Sequence, residues 1–127
     1  MNPYLDEDLV TLADHARRFA TDRIAPGFLE RDKTRALERR LMREMGEMGF
    51  IAPELPEEFG GQGLPKVVAA ACMEMLNSAN MSFALCPLLT DGAIEALLTA
   101  GSPALKAKFL PKMIAGVWSG SMNLTEP

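Results

Sequence analysis

Apolar residues recur every three to five positions through most of this chain, and only at the carboxyl end does the pattern turn to strict alternation. Leu5, Leu9, Leu12, Ala16, Phe19 and Ile24 form one stripe on a first helix, which Pro26 should stop near Ile24. Asp6, Glu7 and Asp8 fall in its opening turns, where carboxylates meet the positive end of the helix dipole. After a charged stretch, Leu37, Leu41, Met45 and Met48 mark one face of a second helix, with Arg39, Arg40, Arg43 and Glu44 toward water. Gly49 fits the left-handed position past its end, with Phe50 folding back on Met45 to complete a Schellman closure.

From Ile51 to Pro65 the density of proline and glycine predicts a loop. Pro65 then suits the first turn of a third helix running to about Asn80, apolar nearly all round and so expected to be central. The pattern resumes after Ser82 with Phe83, Leu85, Leu88, Leu89, Ile94, Leu97 and Leu98, and Gly101 closes it. Pro87 must lie in that helix's first turn or kink it. Ser102-Pro103 reads as an N-cap with proline at the first helical position, opening a fifth helix with Leu105, Phe109, Met113 and Ile114 inward, bent at Pro111 and ended by Gly116. Five helices with short connections predict an all-α antiparallel bundle.

Residues 118–127 break the rule. Trp118, Gly120, Met122 and Leu124 share one parity and Ser119, Ser121, Asn123 and Thr125 the other, the period of a half-buried strand. A lone strand leaves its backbone groups without ladder partners. The expected organisation is therefore a helical domain over residues 1–117 and, over 118–127, the first strand of a missing β-domain. Until that domain covers it, the strand should fold back on the bundle or pair with a second copy.

Composition narrows the function classes. The 127 residues carry a net charge of −4, and the basic residues lie mostly among acids, so nucleic acid is not an expected partner. The acidic start lacks the basic and apolar regions of a signal peptide, and no unbroken apolar run reaches the roughly 18 residues of a bilayer span. A cytoplasmic protein is expected, with Cys72 and Cys86 as reduced, buried packing residues.

Candidate chemistry is sparse. Gly60-Gly61-Gln62-Gly63 lacks a preceding strand and the Lys-Ser/Thr ending of a phosphate loop, and a plain turn is the better reading. His15, the only histidine, has no second ligand beside it, so no metal site is expected and a solvated surface position is. Glu74, in an apolar helix, needs either an arginine partner, the favoured reading, or a raised pKa that would make it a candidate base. Nine methionines are read as core filling. By itself the chain lacks a complete active site.

Three segments taken in order, Gly49 to Leu64 with its Pro56-Glu57-Glu58-Phe59-Gly60-Gly61-Gln62-Gly63 turn, Ala100 to Pro111, and Leu124-Thr125-Glu126-Pro127, strongly resemble acyl-CoA dehydrogenases over nearly the whole chain. The match is to that family's amino-terminal helical domain, whose Thr-Glu-Pro strand enters a middle β-domain. The run from Trp118 to Pro127 looks most like the branch that includes 3-methylmercaptopropionyl-CoA dehydrogenases, which implies a short or sulfur-containing acyl group. The resemblance implies an FAD enzyme, a homo-oligomer, that desaturates an acyl-CoA thioester and passes electrons to an electron-transfer flavoprotein. It places the catalytic carboxylate in a carboxyl-terminal helical domain, so no catalytic residue is expected here and Glu74 does not inherit that role.

Carried over by position, Met122, Leu124 and Thr125 look like the residues that meet the flavin, with Met122 standing where the family often has an aromatic ring. Leu85, Leu88, Leu89 and Gly92 look like the wall of the acyl tunnel. Two other readings remain open on the sequence: a helical interaction module with no enzymatic role, its strand a β-augmentation tag, and an acyl-CoA oxidase-type relative on the same scaffold.

Overall fold

The first stripe folds as α1 (Glu7–Arg18), capped by Asp6, whose carboxylate accepts the Leu9 N–H at 2.8 Å. The structure, a computed structural model, describes residues 6–123, and Leu5 lies outside them. Pro26 does not end the helical path as expected. The backbone widens into a π-helical segment over Phe19–Ile24 and tightens into a 3₁₀ turn over Ala25–Gly27, which absorbs the proline and leads into α2 (Phe28–Thr34). The charged stretch is therefore itself helical. The wide turn buries Phe19, Ala20 and Ile24 together.

α3 (Arg39–Glu47) buries Leu41, Met42 and Met45. Leu37 and Met48, expected on the same face, are each 43% exposed, because Leu37 precedes the helix and Met48 is its C-cap. The predicted Schellman closure is present: Gly49 has φ +73°, its N–H donates to Gly46 O at 2.9 Å, and the Phe50 N–H donates to Met45 O at 3.0 Å. Phe50 is buried against the Phe19 ring, 5.8 Å between centroids. Arg23 reaches Glu44 at 2.7 Å and ties the π-helical segment to α3; this hydrogen bond holds the Glu44 carboxyl below the usual carboxylate range.

α4 (Lys66–Ala100) contains one residue off the helical region, Asn80 at φ −164° and ψ 94°, where the sequence predicts the break between two helices. The break is a reversal. Lys66 Nζ lies 3.5 Å from Glu95 Oε1, whereas a straight helix would hold residues that far apart in sequence about 43 Å from each other. The arms 66–79 and 81–100 thus lie side by side as a helical hairpin. Pro87 is buried inside the second arm, beyond its first turn. The first arm is less central than expected: Val67, Ala70 and Ala71 are exposed while Ala69, Cys72 and Leu76 are buried. By length and composition alone α4 qualifies as a membrane span, but its packing ties it into the bundle.

α5 (Pro103–Ile114) starts as predicted, with Ser102 accepting the Leu105 N–H at 3.3 Å and Pro103 at the first position. It runs through Pro111 and buries Leu110, Met113 and Ile114; Leu105, expected inward, is 43% exposed. The core joins residues from α1, the π-helical segment, α3, α4 and α5 with Phe50, Ile51 and Leu55 of the loop, so the expected all-α bundle is present. The expected strand is not seen: residues 118–123 are irregular, and among the described residues no second strand offers a ladder.

Two buried polar side chains set the hairpin. Arg31, its side chain only 9% exposed, donates from Nε to Asn80 Oδ1 at 3.1 Å, from Nη2 to the Ile24 carbonyl and from Nη1 to Glu38 at 3.3 Å. Its guanidinium stands 5.6 Å from the Phe83 ring centroid. Asn80 Nδ2 in turn donates to Ser82 Oγ at 2.9 Å. On the other side of the hairpin, Asp91 Oδ1 accepts the N–H of Ala52, a residue held at φ +46°, at 3.0 Å. Desolvation, aided by the nearby Glu54 charge and opposed by that hydrogen bond, leaves the Asp91 carboxyl pushed up to about 7.

Arg31→Met keeps the apolar stem but strands Asn80 Oδ1 and the Ile24 carbonyl; a loss of about 3 kcal/mol is expected in urea unfolding, with no rescue by Arg31→Lys, whose single ammonium cannot reach the same acceptors. Asp91 gives a pH signature. Its folded pKa exceeds its unfolded value, so the unfolded chain releases the proton first and stability falls as pH rises from about 4 to about 7. Asp91→Asn should match the parent below pH 4 and exceed it by a few kcal/mol near pH 8, read from denaturant midpoints across that range.

Candidate functional site

Leu85, Leu88, Leu89 and Gly92 follow an i, i+3, i+4, i+7 spacing, which puts them on one face of the second arm of α4. The opposite face, with Phe83, Ala84, Pro87, Thr90 and Ile94, is buried in the bundle. The candidate face is open: Leu85, Leu88 and Leu89 are 46%, 49% and 42% exposed. A Cβ added at Gly92 would meet nothing within 4 Å. Full burial of a leucine stabilises by about 1.5–3 kcal/mol, so three neighbouring leucines held half open form a surface suited to an apolar ligand or cover. A groove of about 430 Å³ beside it is lined by Pro53, Lys66, Ala69, Met73, Leu88 and Asp91.

The flavin-facing candidates follow α5. The Val117 and Trp118 N–H groups both donate to Lys112 O at 3.0 Å, and Trp118 packs on Phe109 at 5.6 Å with the Lys112 ammonium 4.2 Å from its ring centroid. The chain then crosses the second arm of α4. The Cys86 thiol donates to Ser119 Oγ at 3.5 Å, and the Gly120 N–H donates to Thr90 Oγ1 at 3.1 Å. A Cβ at Gly120 would run into Ala93 Cβ and lie 3.3 Å from Thr90 Cα, so only glycine permits this crossing. Through Ser119 and Gly120 the described part of the tail folds back on the bundle, one of the two expected outcomes. Met122 projects beyond the crossing, 55% exposed. Leu124 and Thr125 lie outside the described residues.

The remaining candidates resolve simply. In the Gly60-Gly61-Gln62-Gly63 turn the amides of residues 60–64 donate to Glu57, Pro56, Pro53, Leu55 and Pro53 carbonyls, so none is free to cradle a phosphate. Gln62 Nε2 also donates to Gly49 O at 2.7 Å, clamping the turn to the end of α3. His15 is exposed, as expected. Glu74 is exposed too, and among the described residues it forms no ion pair; the expected arginine partner is absent because the first arm's outer face points to solvent. Among the described residues no three His, Cys, Asp or Glu side chains gather as a metal site. Cys72 and Cys86 are free; burial pushes the Cys72 thiol up, while Cys86 is only half-buried because it faces the tail. Met42, Met45 and Met113 fill the core, but Met48, Met81 and Met122 are exposed.

Thr90 and Asp91 were not singled out by the sequence, although each carries a tie between distant segments. The one available signal was shared with Glu74: a polar residue in an apolar helix.

Residues 6–117 match the family described as acyl-CoA dehydrogenase, N-terminal domain. Over 81 residues, 64% of this chain and 14% of the relative, the sequence is 62% identical to 3-methylmercaptopropionyl-CoA dehydrogenase of Ruegeria pomeroyi. A chain in the structure of the electron transferring flavoprotein of Acidaminococcus fermentans aligns at TM-score 0.87 and 31% identity, over 100% of this chain and 34% of that one. An acyl-CoA dehydrogenase of Bacillus anthracis complexed with FAD aligns at TM-score 0.84 and 28% identity, over 100% of this chain and 22% of that one. The chain spans about a third or less of the length of each of these proteins. With nearly all of its described residues inside the family match and its helical hairpin, loop turn and tail in place, the chain belongs to the acyl-CoA dehydrogenase family, as an amino-terminal helical domain.

Proposed function

We propose that these residues form the amino-terminal part of an FAD-dependent acyl-CoA dehydrogenase that desaturates a thioester between its α and β carbons and hands the electrons to an electron-transfer flavoprotein. Residues 1–117 are its helical domain and 118–127 open its middle β-domain; the native enzyme is a homo-oligomer. The observation that carries this reading is the placement of an uncovered apolar face, Leu85, Leu88, Leu89 and Gly92, on the same helical arm that pins the tail through Thr90 and Gly120.

The fit to a flavin rests on Met122. Met122 is 55% exposed beyond the crossing, and a polarisable thioether is a suitable partner for a planar ring. Bound FAD supplies an acceptor for hydride from the β carbon. The chain's own residues contribute position and exclusion of water: the leucines wall off an acyl tail, each buried methylene contributing about 0.8 kcal/mol. The family resemblance assigns the α-proton to a carboxylate outside these residues. Glu74 is exposed and forms no ion pair among the described residues, and Asp91 Oδ1 accepts the Ala52 N–H. The base belongs to the carboxyl-terminal domain, so the 127 residues alone are inactive.

A short or sulfur-containing acyl group is favoured by the 62% identity to the 3-methylmercaptopropionyl-CoA enzyme. The test is expression of the full-length protein beside the 127-residue chain. Only the former should be yellow and reduce an electron acceptor with acyl-CoA; yellow, active protein from the 127 residues alone, or equal turnover of palmitoyl-CoA and a short thioester by the full protein, contradicts the respective part. Gly92→Leu separates the site from the scaffold. Replacing a helical glycine should raise stability by about 0.5–1 kcal/mol, while the side chain intruding into the acyl space lowers kcat/KM about tenfold.

A further inference from the structure

Among the described residues no ladder holds the segment after Trp118, so side-chain contacts alone decide where along α4 it lies. The contact at Gly120 is the more constraining. Thr90 is fully buried, and its hydroxyl proton is already committed to the Cys86 carbonyl at 2.9 Å. The oxygen is thereby left with lone pairs only, and one of them receives the Gly120 N–H at 3.1 Å. Gly120 cannot slide and keep this fit, because its neighbours Ala93 and Thr90 leave no room for the Cβ of an adjacent residue.

A slip by one residue would carry Met122 about 3.3 Å along the path of the chain and out of its present position. We propose that Thr90 is a positioning residue: its hydroxyl fixes the register of the flavin-facing segment against the helical arm whose opposite face carries the acyl wall, Leu85, Leu88, Leu89 and Gly92. The assignment rests on the function proposed above. It adds that a buried threonine touching neither substrate nor cofactor controls how the two are juxtaposed.

The test uses the full-length, flavin-loaded protein with Thr90→Val, which keeps the volume and removes the acceptor. A fall in kcat of about tenfold is expected, equivalent to one hydrogen bond, with KM for acyl-CoA changed less than twofold. The flavin absorbance band and reduction potential should shift as well, and Thr90→Ser should restore all three. Gly120→Ala, which leaves Thr90 intact but cannot make the crossing, should move the potential in the same direction. A folded Thr90→Val protein with parental kcat, band and potential overturns the proposal even if it melts at a lower temperature, and so does a Gly120→Ala protein with an unchanged potential. Full-length parent protein that binds no flavin overturns the proposed function, and this inference with it.

Discussion

One guanidinium decides the shape of this domain. Thirty-five residues of apolar helix, left straight, would leave the bundle with a single long rod and no layer to pack against it. The reversal at Asn80 removes helical hydrogen bonds and buries a primary amide, an arrangement that is stable only if its polar atoms find partners. Arg31 supplies the partner from a helix 49 residues earlier and also takes up the Ile24 carbonyl, which is free because the Phe28 N–H donates to Ala25 O. A planar fork with several fixed donors can serve both acceptors and still lie over Phe83, which a lysine could not do. Two irregularities, the widened turn before α2 and the break in α4, are thus satisfied by one side chain.

The local signals in the sequence were readable because each is a short-range backbone device. Gly49 and Phe50 close α3, Ser102-Pro103 open α5, and Asn80 interrupts an apolar run, and each lies where composition alone would put it. What the sequence concealed is long-range or compensatory. Pro26 looks like a stop, yet a π-helical segment and a 3₁₀ turn carry the chain past it, at no cost to burial of Phe19, Ala20 and Ile24. Glu74 and Asp91 look alike as lone acids in apolar helices. The Ala52 N–H, 39 residues away, and the burial that comes with it distinguish the tied acid from the solvated one. Alternation at the carboxyl end was real, but a strand is defined by its neighbour, and among the described residues there is none.

The second arm of α4 shows how one helix serves two surfaces. Its inner face has the residues of an ordinary core, while its outer face is just as apolar and left wet. Periodicity cannot separate these faces, since Phe83, Ala84, Pro87 and Ile94 on one and Leu85, Leu88 and Leu89 on the other both read as apolar at helical spacing. The polar exceptions do: Thr90 on the buried face binds the tail, and Asp91, half-buried, binds the loop.

That wet face has a consequence for biogenesis. A polypeptide leaves the ribosome amino end first, so under the proposed reading this unit collapses while the sequence that covers Leu85, Leu88 and Leu89 is still being made. During that interval the nascent domain displays a greasy strip to chaperones and to other unfinished chains, and yield in a cell is then set by how soon translation supplies the cover.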